Sequence, residues 1–262
     1  MTFVLFIVFF LISILFSMLG LGGGVLFVPI LLQCGLSYYQ SAATSLSVML
    51  VLSLTATFIY HSNNFVDWKI VFLLVPFSLI GAFFAGANSN LIPEKVLMIL
   101  FPCLMLTSAF FTLKPPRHSN KEQNKGPGFI KSTVMNQKYY INLWLGIPLI
   151  FLAGIFSSLL GVGGGFINVP LMTIIFGVPT KVAVATSSAM IIITSLSGFM
   201  GHSYAGHINI KLSLILSLAA FSGALIGSRI SIKANKRFLD IAFAVILMLM
   251  SAWMIIKLIF NF

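Results

Sequence analysis

Residues 20–29 read GLGGGVLFVP, and residues 161–170 read GVGGGFINVP. Each stretch places four glycines in five positions with a proline five residues after the last of them, and six of the ten positions are identical. A glycine inside a helix costs about 1 kcal/mol relative to alanine, and a proline costs about 3 kcal/mol. The two stretches therefore predict interruptions of helices. The residues expected to make these breaks are Gly20, Pro29, Gly161 and Pro170.

The composition is that of a protein embedded in a lipid bilayer. Of the 262 residues, 59% are hydrophobic and 7% are charged, and the mean hydropathy is +1.10. A soluble domain carries charge on about a quarter of its residues. Several apolar stretches reach the roughly 18 residues that cross the hydrocarbon core of a membrane. The predicted fold class is an all-α polytopic membrane protein.

The net charge of +11 reflects where the basic residues lie rather than a nucleic-acid partner. Most of them flank apolar stretches, as expected for cytoplasmic loops under the positive-inside rule. Six lie in the polar stretch 114–138, namely Lys114, Arg117, Lys121, Lys125, Lys131 and Lys138. Four more lie in the short stretch 229–237, namely Arg229, Lys233, Lys236 and Arg237. No nucleic-acid binding is predicted, and the charge serves as a signal of membrane topology.

The chain divides into two similar halves. Residues 1–113 are expected to form a first transmembrane repeat, 114–138 a basic cytoplasmic linker, and 139–262 a second repeat. After each glycine stretch an Ala-Thr-Ser triplet follows, ending at Ser45 and at Ser187. Internal duplication is a common origin of transporter folds. Each half is predicted to contain a helical hairpin broken at the glycines, followed by three transmembrane helices.

The orientation of the halves depends on how the glycine stretches cross the membrane. The apolar runs 3–34 and 139–176 are too long for one span at about 1.5 Å per residue. If each run crossed once, the halves would be parallel, and the basic stretch 229–237 would lie opposite the linker. If each run is a hairpin, both basic stretches share one side. The charge pattern thus favours inverted-topology repeats with both termini outside, and parallel repeats remain the alternative.

The glycine stretches suggest a site for an anion. Irregular backbone at membrane depth is tolerated where it is buried in protein or lines a cavity. The helices should resume at about Val25 and Phe166, and a helix N-terminus attracts negative charge. The predicted contacts are Gly22, Gly23, Gly24, Val25, Gly163, Gly164, Gly165 and Phe166. The alternative is that the glycines only allow helices to pack closely.

Several polar residues near these stretches are further candidates for substrate contact. The hydroxyls of the Ala-Thr-Ser triplets could donate hydrogen bonds to an oxyanion, although hydroxyls in membrane helices often bond to their own helix. These residues are Thr44, Ser45, Thr186 and Ser187. Asn168 stands where the first half has Phe27. An asparagine just past a helix N-terminus is a candidate donor, and it makes the predicted site asymmetric.

Two histidines could couple transport to protons. His61 and His202 lie at the ends of corresponding helices, and histidine titrates near neutral pH. The alternative is a polar cap at the membrane interface. The four acidic residues are Asp67, Glu94, Glu122 and Asp240, none of them in the middle of a span. Intramembrane carboxylates usually mark proton or sodium relays, so their absence favours a path for anions.

The sequence gives little support to an enzyme. The glycine stretches are followed by no Gly-Lys-Ser/Thr, which a phosphate-binding P-loop requires. Cys34 and Cys103 form no CxxC pair, and no metal site or cofactor is predicted. An intramembrane hydrolase using Ser203 beside His202 remains the enzyme alternative.

The paired glycine-proline stretches, the Ala-Thr-Ser triplets and the basic central linker resemble the TauE/SafE family, also called TSUP. Members of that family are linked to export of sulfite and organosulfonates across the bacterial inner membrane. The resemblance covers the chain outside 114–138 and carries over to the glycines and prolines of 20–29 and 161–170. It implies a multi-pass transporter of a small sulfur-containing anion in that membrane, with the linker in the cytoplasm.

The resemblance leaves several alternatives open. The expected mechanism is alternating access around the two broken helices, and export by uniport is compatible with it. An anion channel would use the same loops as a filter, and a membrane assembly factor would show no flux. The identity of the anion, the direction of transport, the coupling ion and the oligomeric state are not indicated by the sequence.

Overall fold

The computed structural model describes residues 2–20, 22–113, 127–233 and 236–260. Within these ranges the chain is mainly helical, which confirms the predicted all-α polytopic class. The first half contains α1 (Thr2–Leu19), α2 (Gly24–Gln33), α3 (Tyr38–Ser62), α4 (Trp68–Ala87) and α5 (Glu94–Leu113). The second contains α6 (Leu143–Leu160), α7 (Gly165–Pro170), α8 (Thr180–Tyr204), α9 (Ile210–Lys233) and α10 (Lys236–Phe260). Among the described residues, α3, α4, α6, α8 and α9 are long and apolar enough to cross a membrane.

The chain folds back at each glycine stretch. In the first half the rings of Phe9 in α1 and Phe27 in α2 stack with their centroids 4.5 Å apart. If α1 and α2 formed one straight helix, those residues would be about 27 Å apart. In the second half a Cβ placed on Gly146 of α6 would lie 2.9 Å from Cζ of Phe176, beyond α7. Both broken segments are therefore hairpins.

Helices of one half pack along helices of the other. α1 lies against α9, and α6 lies against α4. Glycines bring the second pair into backbone contact: a Cβ on Gly81 would lie 2.6 Å from the Phe151 carbonyl oxygen, and one on Gly154 would collide with the carbonyl of Ser78. Small residues allow such close approach between membrane helices. Each half thus contributes to the packing of the other.

The two halves traverse the molecule in opposite directions. α3 and α8 are antiparallel, because Tyr39 near the start of α3 stacks on His207 beyond the end of α8, and Thr186 near the start of α8 bonds to Asp67 beyond the end of α3. Helix α4 therefore begins at the face of the molecule that contains Asp67. The corresponding helix α9 ends at the same face, since Lys181 near the start of α8 donates to the Ile232 carbonyl near the end of α9. This arrangement supports inverted repeats, and the duplication itself stays a prediction.

A two-stranded hairpin joins the halves and was not expected from the sequence. Strands β1 (Phe129–Val134) and β2 (Gln137–Asn142) pair antiparallel, with Ser132 opposite Tyr139. The predicted solvated linker 114–138 therefore includes a strand and a turn, while residues 114–126 lie outside the described residues. We name this element the linker hairpin and the side of the molecule on which it lies the hairpin face.

Hydrogen bonds to the buried carboxylate of Asp67 hold the linker hairpin against the helices. Asp67 is buried and accepts hydrogen bonds from the Ser132 hydroxyl at 2.6 Å and from the Tyr139 hydroxyl at 2.5 Å. The same side chain caps α4 by accepting from the backbone N–H of Lys69 at 2.9 Å. Burial and the neighbouring Asp67 carboxylate raise the pKa of Tyr139, so its hydroxyl remains a donor at physiological pH.

Replacing Gly154 by valine tests the close packing of α4 and α6. The new side chain would press against the Ser78 carbonyl, and overpacking of this kind costs about 1–3 kcal/mol. We expect a lower melting temperature in detergent, followed by intrinsic fluorescence. The control is Leu152→Val on the same helix, where the side chain is exposed. Equal melting temperatures for the Gly154 variant and the parent would contradict the packing described here.

Candidate functional site

The helices break and resume close to where the sequence predicts. α2 begins at Gly24 and α7 at Gly165, each one residue before the expected Val25 and Phe166. Five loop glycines have positive φ angles between 61° and 76°. Only glycine adopts this left-handed region without strain. These five are Gly20, Gly22, Gly161, Gly163 and Gly164.

The two glycine loops touch each other in the interior of the molecule. A Cβ on Gly24 would collide with the carbonyl of Gly161 and would lie 2.6 Å from Cα of Val162. The methyl group of Met49 is in contact with both Gly22 and Gly163. Met49 is near the middle of the 25-residue helix α3. The loops therefore meet at about half the depth of that helix.

This contact bears on the expectation that an anion lies between the two loop backbones. In the structure that gap is closed by backbone atoms and by the methionine side chain. Ile191, near the middle of α8, also lies close: its Cγ2 would be 3.1 Å from a Cβ on Gly163. Close packing, the alternative left open by the sequence, thus describes four of these glycines: Gly24 and Gly161 pack against backbone atoms, and Gly22 and Gly163 pack mainly against side chains. Their predicted role in binding substrate is untested.

The prolines do not make the breaks, which corrects their predicted role. Pro29 is buried inside α2, and that helix continues to Gln33. Pro170 is the last residue of α7, where the chain passes into a π-helical turn over Leu171–Ile175. Membrane helices tolerate proline because neighbouring groups satisfy the freed backbone atoms. Glycine alone therefore interrupts the helices here.

Two of the four predicted hydroxyls are engaged in structural hydrogen bonds. Ser45 donates to the Gly161 carbonyl at 2.6 Å, which holds the second loop against α3. The Thr186 hydroxyl oxygen accepts from the backbone N–H of Asp67 at 2.9 Å. The hydroxyls of Thr44 and Ser187 are buried, and neither has a hydrogen-bond partner within the described part of the chain. Thr44 and Ser187 thus keep the capacity to bind a ligand.

Buried polar side chains without partners in the described part of the chain lie beside the second glycine loop. A Cβ on Gly164 would lie 3.5 Å from Cβ of Ser157 and 3.7 Å from Nδ2 of Asn168, which are ordinary contact distances. Asn168 is 1% exposed, and neither its amide nitrogen nor its amide oxygen has a partner among the described residues. The same holds for the hydroxyl of the buried Ser157. We name this cluster of Ser157, Gly164 and Asn168, which are in contact with one another, the Asn168 pocket.

The corresponding place in the first half is apolar. A Cβ on Gly23 would collide with the ring of Phe27, and that ring stacks on Phe9. Gly23 also has a right-handed conformation with a φ of −70°, whereas Gly164 is left-handed. The asymmetry expected from Asn168 and Phe27 is therefore present in the packing. Next to its glycine loop, the second hairpin has a buried amide without a partner in the described ranges where the first has an aromatic ring.

Val25 and Phe166 lie on another side of the loops. Together with Ser108 of α5 they line a cavity of about 10 Å³, which has room for no more than one water molecule. A larger apolar groove of about 210 Å³ lies between α5 and α7 and is lined by Ile167 and Pro170 among others. Neither space includes Asn168 in its lining. Their apolar walls suit hydrocarbon better than an anion.

The two histidines occupy different environments. His61 is exposed at the end of α3, and its Nδ1 accepts from the indole N–H of Trp68 at 3.1 Å. His202 is buried, and its Nε2 donates to the Ser158 carbonyl at 2.9 Å. That carbonyl also accepts from the backbone N–H of Gly161 at 3.3 Å. His202 is thus connected to the second loop, while His61 lies apart from both loops.

Three residues at the centre were not singled out from the sequence. Met49 and Ile191 look like ordinary core residues of apolar helices, and only the structure shows that both touch the glycine loops. Ser157 could have been identified from the sequence, because the pair Ser157–Ser158 lies two residues before a glycine stretch in an otherwise apolar helix. Within the described ranges no group of three or more His, Cys, Asp or Glu side chains is suited to a metal ion.

Comparison with known proteins agrees with this architecture. Residues 5–254 match the family described as "Sulfite exporter TauE/SafE". The chain is 31% identical to the "Probable membrane transporter protein YunE" of Bacillus subtilis over 94% of both chains. It is 27% identical to the "Probable membrane transporter protein MJ0441" of Methanocaldococcus jannaschii over 96% of this chain and 94% of that one.

A plant relative extends the range of similar proteins. The "Sulfite exporter TauE/SafE family protein 5" of Arabidopsis thaliana is 28% identical over 62% of this chain and 38% of its own length. No solved structure matches the chain significantly. The family match covers nearly the whole sequence, including both glycine loops. The chain therefore belongs to the sulfite exporter TauE/SafE family of membrane transporters.

Proposed function

We propose that this protein is a secondary transporter that exports a small sulfur-containing oxyanion such as sulfite or an organosulfonate. The family description and the names of its relatives support transport rather than catalysis. The observation that carries the proposal is the Asn168 pocket, where buried polar side chains without partners among the described residues lie beside a helix break. A polar group buried without a partner costs about 1–3 kcal/mol. A bound ligand would remove that cost.

The chemistry of the pocket suits an oxyanion. The amide of Asn168 and the hydroxyl of Ser157 supply neutral hydrogen-bond donors. Neutral donors hold an anion without trapping it as a fixed cation would. A transporter must release its substrate on the far side, so moderate binding is an advantage.

The proposed mechanism is alternating access. The contact between the loops and the position of Met49 correspond to an occluded arrangement, in which the pocket is closed by packed side chains. The methionine side chain is unbranched and flexible, so it can vacate the gap without breaking a hydrogen bond that holds a helix. Because the halves run in opposite directions, motion of one relative to the other would open the two faces in turn.

The membrane potential is a sufficient driving force. With the cell interior negative, export of one negative charge is favoured by about 2.3 kcal/mol per 100 mV. We therefore propose uniport of the anion.

Proton coupling is the alternative to uniport. The contact of His202 with Ser158 makes this histidine the stronger of the two candidates for proton coupling, since His61 lies away from both loops.

We place the protein in the bacterial inner membrane with its hairpin face in the cytoplasm. Support comes from the basic residues of that face, which follow the positive-inside rule. They include Lys69, Lys131, Lys138, Lys181, Arg229 and Lys233.

Replacing Asn168 by leucine tests the proposed site. The change removes both buried polar groups of the side chain, and loss of such hydrogen bonds to an anion lowers binding by about tenfold or more. We expect sulfite efflux from proteoliposomes to fall by at least that factor. The matched control is Phe27→Leu in the first hairpin, where an apolar side chain replaces another. Equal efflux from the Asn168 variant and the parent would reject the site.

A second test fills the Asn168 pocket with one methyl group. Gly164→Ala places that methyl against Ser157 and Asn168, and the left-handed backbone adds about 1–2 kcal/mol of strain. We expect the protein to fold and sulfite efflux to drop severalfold. Gly206→Ala is the control, because Gly206 has a similar φ of 82° and no atom within 4 Å of its added Cβ. If both variants lose efflux equally, backbone strain rather than occupation of the pocket explains the loss.

A further inference from the structure

We infer that the Asn168 pocket selects singly charged oxyanions that still carry a proton and excludes the corresponding dianions. This inference rests on the proposed function and narrows its substrate to protonated oxyanions such as hydrogensulfite, which excludes organosulfonates that carry no donor group. It follows from two observations: no side chain of residues 143–170 is charged, and the amide oxygen of Asn168 is an acceptor that needs a donor.

No side chain of α6, the second loop or α7 is charged or titratable over residues 143–170. On the helices packed against them, the charged side chains and the histidines lie at helix ends, and the exposed Cys103 lies in the middle of α5. His61 is exposed at the end of α3, and His202 of α8 donates to Ser158. Lys181 of α8 donates to Ile232, and Lys69 of α4 donates to the Lys131 carbonyl. Asp67 is bonded to the linker hairpin, while Glu94 and Lys95 lie in the first turn of α5.

Because residues 143–170 carry no charged side chain, only neutral groups of these residues can offset the charge of a ligand in the pocket. The cost of moving an ion from water into a medium of low dielectric constant rises with the square of its charge. A dianion therefore loses about four times the solvation energy of a monoanion of the same size. Neutral donors such as an amide and a hydroxyl offset one charge far better than two. Protonation of the ligand removes the second charge before it enters.

The amide of Asn168 also offers an oxygen that must accept a hydrogen bond. A fully deprotonated oxyanion has only acceptors and would leave that oxygen unsatisfied. A ligand with one O–H group can donate to Asn168 and accept from its N–H₂ group and from Ser157. In either orientation the amide of Asn168 presents one donor side and one acceptor side.

The test follows sulfite efflux from proteoliposomes at two pH values on either side of the second ionisation of sulfite. Total sulfite is adjusted so that the hydrogensulfite concentration is the same at both. The expected result is equal efflux, and at constant total sulfite efflux should fall as the pH rises. Efflux that follows the dianion or total sulfite instead would overturn the inference.

Selenite separates titration of the ligand from titration of the protein, because its second ionisation lies at higher pH than that of sulfite. The midpoint of the pH dependence should move upward when selenite replaces sulfite. An identical midpoint for both anions would assign the titration to the protein and overturn the inference. If neither anion is transported at any pH, the proposed function itself fails.

The buried carboxylate of Asp67 carries a second and independent inference. We propose that the linker hairpin is a latch that keeps the hairpin face closed. Asp67 joins three parts of the molecule: it caps α4, it accepts from Ser132 and Tyr139 of the linker hairpin, and its N–H donates to Thr186 of α8. Thr186 directly precedes Ser187. Opening this face between α4 and α8 would require these contacts to separate.

The corresponding residue of the second half shows that capping alone does not need this arrangement. Asn209 is exposed and caps α9 by accepting from the backbone N–H of Leu212 at 3.2 Å. Its side chain performs the same local task as Asp67 without burial. The buried carboxylate is thus accounted for by the linker hairpin, since hydroxyl donors to a charged acceptor form strong hydrogen bonds.

Labelling of a cysteine measures the opening of the latch. Ser187→Cys is introduced after Cys34 and Cys103 are replaced by alanine, and a membrane-impermeant maleimide is applied to vesicles that expose the hairpin face. We expect Ser132→Ala with Tyr139→Phe to raise the labelling rate about tenfold or more. Asn209→Ala is the control and should leave the rate unchanged. An unchanged rate in the double variant, with an unchanged melting temperature, would overturn the latch.

Tyr139→Phe alone keeps the ring in place and is the reserve variant if the double variant does not fold. For this variant we expect a severalfold rise in the labelling rate. An unchanged labelling rate in this variant would also contradict the latch.

Discussion

The backbone contact between the two glycine loops is the constraint on which the rest of the structure depends. Gly24 lies so close to the Gly161 carbonyl that no side chain fits between them. For this contact to form, two helices must stop inside the membrane, and both hairpins must reach the same depth. The Gly161 carbonyl, which the helix break frees from helical bonding, accepts a hydrogen bond from Ser45. The cross-packing of α1 with α9 and of α6 with α4 holds the hairpins in that position.

Much of this architecture could be predicted from the sequence, because glycine and hydropathy act locally. The helix breaks were placed within one residue, and the hairpin form followed from run length and charge. The linker hairpin could not be predicted in this way. Its strands contain lysine, serine and asparagine typical of a solvated linker, and their stability depends on Asp67, which is distant in sequence. A long-range polar contact of this kind leaves no periodic signal.

The candidate site, like the fold, could be predicted from the sequence only in part. Asn168 was identifiable because it breaks the similarity of the halves, and the structure adds that its amide is buried beside Ser157 and Gly164. A sequence does not reveal that Met49 reaches the gap between the loop backbones from another helix, so the prediction of an anion there could not take this side chain into account. The prolines were misjudged because propensities measured in water overstate their effect in a membrane helix. Both points concern tertiary surroundings rather than local preference.

We propose that the anion binds beside the second loop and not between the loops. Crystals of the protein soaked with selenite would test this proposal, since the selenium atom gives an anomalous signal that locates the ion. We expect a peak within hydrogen-bond distance of Asn168 and Ser157. A peak in the cavity lined by Val25 and Phe166, or one between the two loop backbones with Met49 displaced, would contradict it.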